Sequence, residues 1–120
     1  AKKDTEHFTG TTCVIAINYG SRDEIVRGIK KLVENNVKTE DITEKLISDS
    51  LDIKDLPDVD LMIRTGGEER LSNFLLWQCA YAEFLFTDTL WPDYTENEFI
   101  EDIIKFQKRN RRFGAVPDQK

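Results

Sequence analysis

An α/β fold with a mainly parallel sheet flanked by helices is predicted by the order of patterns along the chain. Three observations carry it. Short β-branched runs end at glycines, capping-box patterns open helices after them, and strands and helices alternate as strand, helix, helix, strand, helix, strand, helix.

Thr12–Tyr19, TCVIAINY, lies between Gly10 and Gly20 and is expected to be a buried strand. Ser21 and Glu24 form an S-x-x-E box that predicts a helix directly after it. Ile25, Ile29, Leu32 and Val33 would supply that helix's inward face. A short helix is expected over Thr43–Leu51, with Leu46 and Ile47 inward, and Pro57 ends that region. Asp60–Thr65, DLMIRT, reads as a second strand, punctuated by Gly66 and Gly67. Ser72 is expected to cap a helix whose inner face holds Leu75, Leu76, Cys79 and Ala80. Phe84–Phe86 reads as a third strand. After Pro92, Thr95 and Glu98 form a second capping box, opening a helix with Phe99, Ile103 and Phe106 on one face.

The chain has 120 residues, a formal net charge of −6, 39% hydrophobic and 33% charged residues, which describes a globular protein. No apolar run is long enough to span a bilayer, and no signal peptide is visible. Three short strands make a small parallel sheet, so residues 1–120 read as a single partial domain. Cys13 and Cys79, one distant pair in apolar runs, are expected to be buried and reduced, pointing to a cytoplasmic location. Net acidity excludes general nucleic-acid binding. The basic end, Lys105 to Lys120, reads either as a solvated helix terminus or as an anion-binding tail.

Between Lys54 and Lys105 the only cations are Arg64 and Arg70, against twelve Asp or Glu residues. Both lie in the loop Arg64–Asn73, RTGGEERLSN, after the second strand, where open α/β sheets place ligands. A planar guanidinium fork suits diphosphate oxygens, and a helix start at Ser72 would add backbone N–H donors. The plainer reading is a glycine turn, a cap, and surface pairs with Glu68 and Glu69, each worth ~0–1 kcal/mol. The loop is neither a P-loop nor a Rossmann fingerprint. Glu83, between an aromatic segment and the run FLF, would need an arginine or a hard cation as partner.

The run DLMIRTGGEERLSNFLLWQCAYAEFLFTDTLWPDY resembles the signature region of cis-prenyltransferases of the bacterial undecaprenyl diphosphate synthase type. INYGSRDEI is similar to that family's N-Y-G-G-R segment, with Ser21 replacing a glycine, and RRFG is similar to its R-x-G ending. The resemblance runs from about Thr9 to Gly114 and implies the C-terminal portion of the cis-prenyltransferase fold. Arg64, Arg70, Ser72 and the backbone of Leu71 would then bind the diphosphate of isopentenyl diphosphate. Arg112 and Gly114 would help close that site, often across a homodimer interface, and Glu83 would take part in a Mg²⁺ site.

The resemblance also implies condensation of isopentenyl diphosphate onto farnesyl diphosphate, giving a long-chain lipid carrier whose apolar tail favours peripheral association with a membrane. No catalytic residue is assigned in this half. The family's D-G-N-G-R-W-A motif is absent from these residues, so the chain alone is expected to be inactive. Glu69 stands where related enzymes can carry a metal-assisting histidine. The rival reading is a non-catalytic phosphate-binding or subunit module that supports a partner enzyme.

Overall fold

A computed structural model describes residues 2–109. Helix α1 spans Lys2–Thr5, α2 Ser21–Glu34, α3 Glu44–Ser50 and α4 Glu96–Gln107. Strands β1, Leu61–Arg64, and β2, Glu83–Phe86, pair in parallel, with Leu61 opposite Glu83 and Arg64 opposite Phe86. The pairing continues past both ends: Glu83 N–H donates to the Asp60 carbonyl at 2.9 Å, and Thr87 N–H to that of Arg64 at 3.0 Å. The α/β class with a parallel sheet therefore holds, and the second and third expected strands are the two that pair.

The first expected strand is not formed. Residues 12–19 make no ladder among the described residues, and Val14, Ile15 and Ile17 are exposed, as is Cys13. A strand exists only when a neighbour satisfies its backbone, and an apolar run cannot provide that neighbour itself. Cys79 is buried, as expected.

Helix α2 buries a face that overlaps the expected one only in part, with Leu32 buried and Ile25 half-buried as expected. Its inward residues are Ser21, Glu24, Gly28 and Leu32, whereas Ile29 and Val33 are exposed. The crossing with α3 explains the rotation: a Cβ at Gly28 would lie 2.6 Å from Ser50 Oγ and 3.2 Å from Leu51 Cδ2. Only glycine lets the two backbones approach so closely. Thr43 caps α3, its hydroxyl accepting from Leu46 N–H at 3.2 Å. The Thr95 and Glu98 box is fully made at the start of α4.

Among the described residues, the buried apolar side chains are Leu32, Leu51, Met62 and Cys79. The radius of gyration is 17.6 Å, against about 13–14 Å for a compact chain of this length. With so little apolar burial, directional polar contacts carry much of the tertiary arrangement. The principal one is Glu24, only 1% exposed. Its carboxylate accepts from Asp52 N–H at 3.0 Å, from Gln78 Nε2 at 3.2 and 3.3 Å, and from the Tyr19 hydroxyl. The S-x-x-E box expected at Ser21 is therefore not a cap: Gly20 is the N-cap and makes no side-chain cap bond.

Two outcomes follow from Glu24. Glu24→Ala strands buried donors, so urea unfolding of the protein is expected to show a loss of roughly 2–4 kcal/mol; a loss below about 0.5 kcal/mol would show that the contacts are dispensable. Burial first, and the bond to Glu24 second, push the Tyr19 phenol up to about 12. Its neutral form is the one the fold favours, so that contribution is complete below pH 10 and is lost as pH rises towards 12. Alkaline titration of phenolate absorbance should show a late-ionising tyrosine that disappears in Tyr19→Phe. An unchanged late step in that variant would contradict the assignment.

Candidate functional site

Arg64 ends β1, so the loop after it opens at the carboxyl edge of the parallel sheet, where this class of fold receives ligands. Gly66 and Gly67 take φ of 89° and 74°, a left-handed turn that favours glycine. Their N–H groups donate to the carbonyls of Thr89 and Thr87, both at 2.9 Å, which anchors the turn beyond the end of β2.

Across this turn Arg64 reaches the far side of the loop. Its Nη1 donates to the Arg70 carbonyl and to Ser72 Oγ, the latter at 3.2 Å. Arg64, Arg70 and Ser72 are thus brought together, with Leu71 between them and its carbonyl accepting from Phe74 N–H at 3.1 Å. The Arg70 guanidinium pairs with the Glu68 carboxylate, and the Arg70 side chain is 64% exposed. The glycine turn and the surface pair with Glu68, two parts of the plainer reading of this loop, are present. The surface pair exists, and an exposed pair is weak enough to exchange for an incoming anion.

The helix expected from Ser72 is not formed. Residues 72–81 fold as successive turns, and Ser72, Asn73 and Leu75 take φ of 49°, 64° and 46°. Left-handed residues interrupt a right-handed helix, costing roughly 1–2 kcal/mol each. Ser72 therefore offers an exposed hydroxyl, not an N-cap with a row of free N–H groups. Apolar spacing at Leu75, Leu76 and Cys79 fits helical turns, but contacts from α2 outweigh it.

Those contacts come from residues that sequence reasoning assigned elsewhere. Ser21 N–H donates to the Asn73 carbonyl at 2.8 Å, and Arg22 N–H to Asn73 Oδ1 at 2.9 Å. Leu76 N–H donates to Ser21 Oγ at 3.0 Å. The start of α2 is thus capped by a side chain 51 positions away, and its backbone places Arg22 beside the loop. The S-x-x-E pattern marked Ser21 and Glu24 as special but attributed them to a local cap.

Glu83 is not brought to the arginines. It begins β2 opposite Leu61, three residues before the register position of Arg64, or about 10 Å along the strands. Its carboxylate accepts from Arg109 Nη1 at 2.8 Å, and the same nitrogen donates to the Phe84 carbonyl at 2.9 Å. Among the described residues, no group of three His, Cys, Asp or Glu side chains is placed to hold a metal ion. Glu83 alone, already paired, does not make a Mg²⁺ site from these residues. Arg112 and Gly114 lie outside the described residues. Among the described residues, no helix is long and apolar enough to cross a membrane.

A parallel α/β sheet with an arginine–serine loop at its carboxyl edge defines a class suited to anionic ligands. Within that class the chain belongs to the prenyltransferase family of undecaprenyl diphosphate synthase, whose model matches residues 1–114. An isoprenyl transferase of Treponema denticola is 57% identical over 110 residues, covering 92% of this chain and 48% of that protein. A ditrans,polycis-undecaprenyl-diphosphate synthase of Photorhabdus laumondii, (2E,6E)-farnesyl-diphosphate specific, is 51% identical and covers 97% of this chain and 48% of its own length.

The crystal structure of a probable undecaprenyl diphosphate synthase from Campylobacter jejuni superposes with a TM-score of 0.82. It is 44% identical and covers 95% of this chain and 52% of that one. Lavandulyl diphosphate synthase from Lavandula x intermedia, solved with dimethylallyl diphosphate, gives 0.77 at 37% identity, covering 83% and 45%. The chain spans about half the length of the relatives it matches.

Proposed function

We propose that this chain is the C-terminal half of a cis-prenyltransferase that condenses isopentenyl diphosphate onto farnesyl diphosphate, building a long-chain polyprenyl (undecaprenyl) diphosphate. The observation that carries the reading is the convergence of Arg64, Arg70 and Ser72 on one loop at the carboxyl edge of the sheet. The (2E,6E)-farnesyl-diphosphate specificity in the name of the Photorhabdus relative supports the choice of allylic partner.

In this reading Arg64, Arg70, Ser72 and the backbone of Leu71 hold the diphosphate that does not react. The π electrons of isopentenyl diphosphate form a bond to C1 of the allylic substrate. The C1–O bond of that substrate breaks, its diphosphate leaves with the electron pair, and a proton is then lost from the new chain. Holding the second substrate by its diphosphate supplies orientation, which lowers the entropic part of the barrier. Exchange of the Arg70 pair from Glu68 to the ligand frees a planar fork for two oxygens at once. Arg112 and Gly114 belong to the same proposal as closing residues.

Mg²⁺ is part of the same reading. When bound, a divalent ion stabilises the departing diphosphate as a Lewis acid. Glu83 would offer it a single carboxylate after release from Arg109, with the remaining ligands supplied from outside residues 2–109. A homodimer, a cytoplasmic location and peripheral membrane contact through the lipid product complete the proposal.

Isothermal titration of the intact protein with isopentenyl diphosphate tests the central assignment. Arg70→Ala removes an exposed side chain, so the fold should survive while affinity falls about 10- to 100-fold, as for loss of charge-assisted hydrogen bonds. Unchanged affinity would remove Arg70 from the site.

A further inference from the structure

We propose that the Ser21 hydroxyl is a positioning residue for the diphosphate loop, holding it in shape through the N–H of Leu76. The inference rests on the reading of that loop as the isopentenyl diphosphate site, and it adds a residue outside the loop to the binding apparatus.

Ser21 is fully buried at the first turn of α2. Its Oγ accepts from Leu76 N–H at 3.0 Å, 55 positions away, and its own N–H donates to the Asn73 carbonyl at 2.8 Å. Two positions before Ser21, the Tyr19 phenol donates to Glu24. The first turn of α2 therefore carries both the contact to the loop and the buried carboxylate that orients the helix.

The loop needs such a tie. Ser72, Asn73 and Leu75 are three left-handed non-glycine residues within four positions. A strained conformation of this kind persists only where surrounding contacts over-determine it. Asn73 is held from both its carbonyl and its side-chain oxygen, and Leu76 is held by Ser21. Between these anchors and Arg64 Nη1, the Ser72 hydroxyl has a defined place at the mouth of the loop.

Ser21 stands where the N-Y-G-G-R segment has a glycine. A glycine there has no side-chain oxygen, so Leu76 N–H would lose this acceptor while Asn73 kept its two backbone donors. The tie is thus separable from the rest of the anchoring. Its effect falls on the turn that follows Ser72.

The test compares the intact wild-type protein with Ser21→Ala and Ser21→Gly. Residue-resolved hydrogen exchange should show the Leu76 amide exchanging at least about tenfold faster in both variants, with the Leu32 amide in α2 unchanged. In steady-state kinetics the KM for isopentenyl diphosphate should rise about threefold to tenfold in both, while the KM for farnesyl diphosphate stays at its wild-type value. Unchanged exchange at Leu76 overturns the tie itself. Faster exchange with an unchanged KM for isopentenyl diphosphate overturns its link to the substrate. A wild-type protein that neither binds nor uses isopentenyl diphosphate overturns the functional reading, and the exchange result then decides the tie alone.

Discussion

The arrangement depends on one buried carboxylate. Glu24 lies where α2, the turn after α3 and the 71–78 loop come together, and it accepts from Asp52, Gln78 and Tyr19. Burying a carboxylate costs several kcal/mol, which is offset only when donors surround it. Asp52 N–H, Tyr19 and the Gln78 amide provide them. Gln78 must point Nε2 at Glu24, since the flipped amide would face two acceptors; its Oε1 is then left without a protein partner. Such contacts select one geometry among many, which matters where little apolar surface is buried to do so.

That geometry passes directly to the loop. With α2 oriented by Glu24, its first turn presents Ser21 and Arg22 to Asn73 and Leu76, and the loop adopts left-handed conformations in place of a helix. Arg64 closes the other side from the end of β1. The result is an exposed arginine, a guanidinium engaged with backbone, and an exposed hydroxyl that accepts from Arg64, all at one edge of the sheet. Arg70 rests on Glu68 in an exposed pair that costs little to break. Glu83, held by Arg109 at the opposite edge, belongs to a different part of the surface.

Much of this was legible in the chain. The runs DLMIRT and FLF pair as strands because β-branched and aromatic residues suit a half-buried pleat, and Gly66-Gly67 turns where its positive φ requires glycine. Thr95 and Glu98 make their capping box because both partners lie within one turn. Of the two lone arginines in the acidic stretch, Arg64 reaches the Arg70 carbonyl and Ser72, while the Arg70 guanidinium lies on Glu68. What failed were the inferences at Ser21 and Glu24 and over residues 72–81, which assumed a local partner. Ser21 and Glu24 have the spacing of a cap but face inward, and Leu75, Leu76 and Cys79 have the spacing of a helix face but lie in turns.

The sequence by itself determined the class of fold, the two paired strands, the helix starts with contiguous caps, and the residue types at the candidate site. These depend on interactions between near neighbours, whose spacing the chain displays directly. Tertiary structure alone decided which face of α2 is buried, where Ser21 and Glu24 direct their oxygens, and how residues 72–81 run. It also decided that Glu83 and Arg64 occupy opposite ends of the sheet. Each of those outcomes depends on a donor or acceptor more than twenty residues away, and on register between strands, neither of which is encoded in local periodicity.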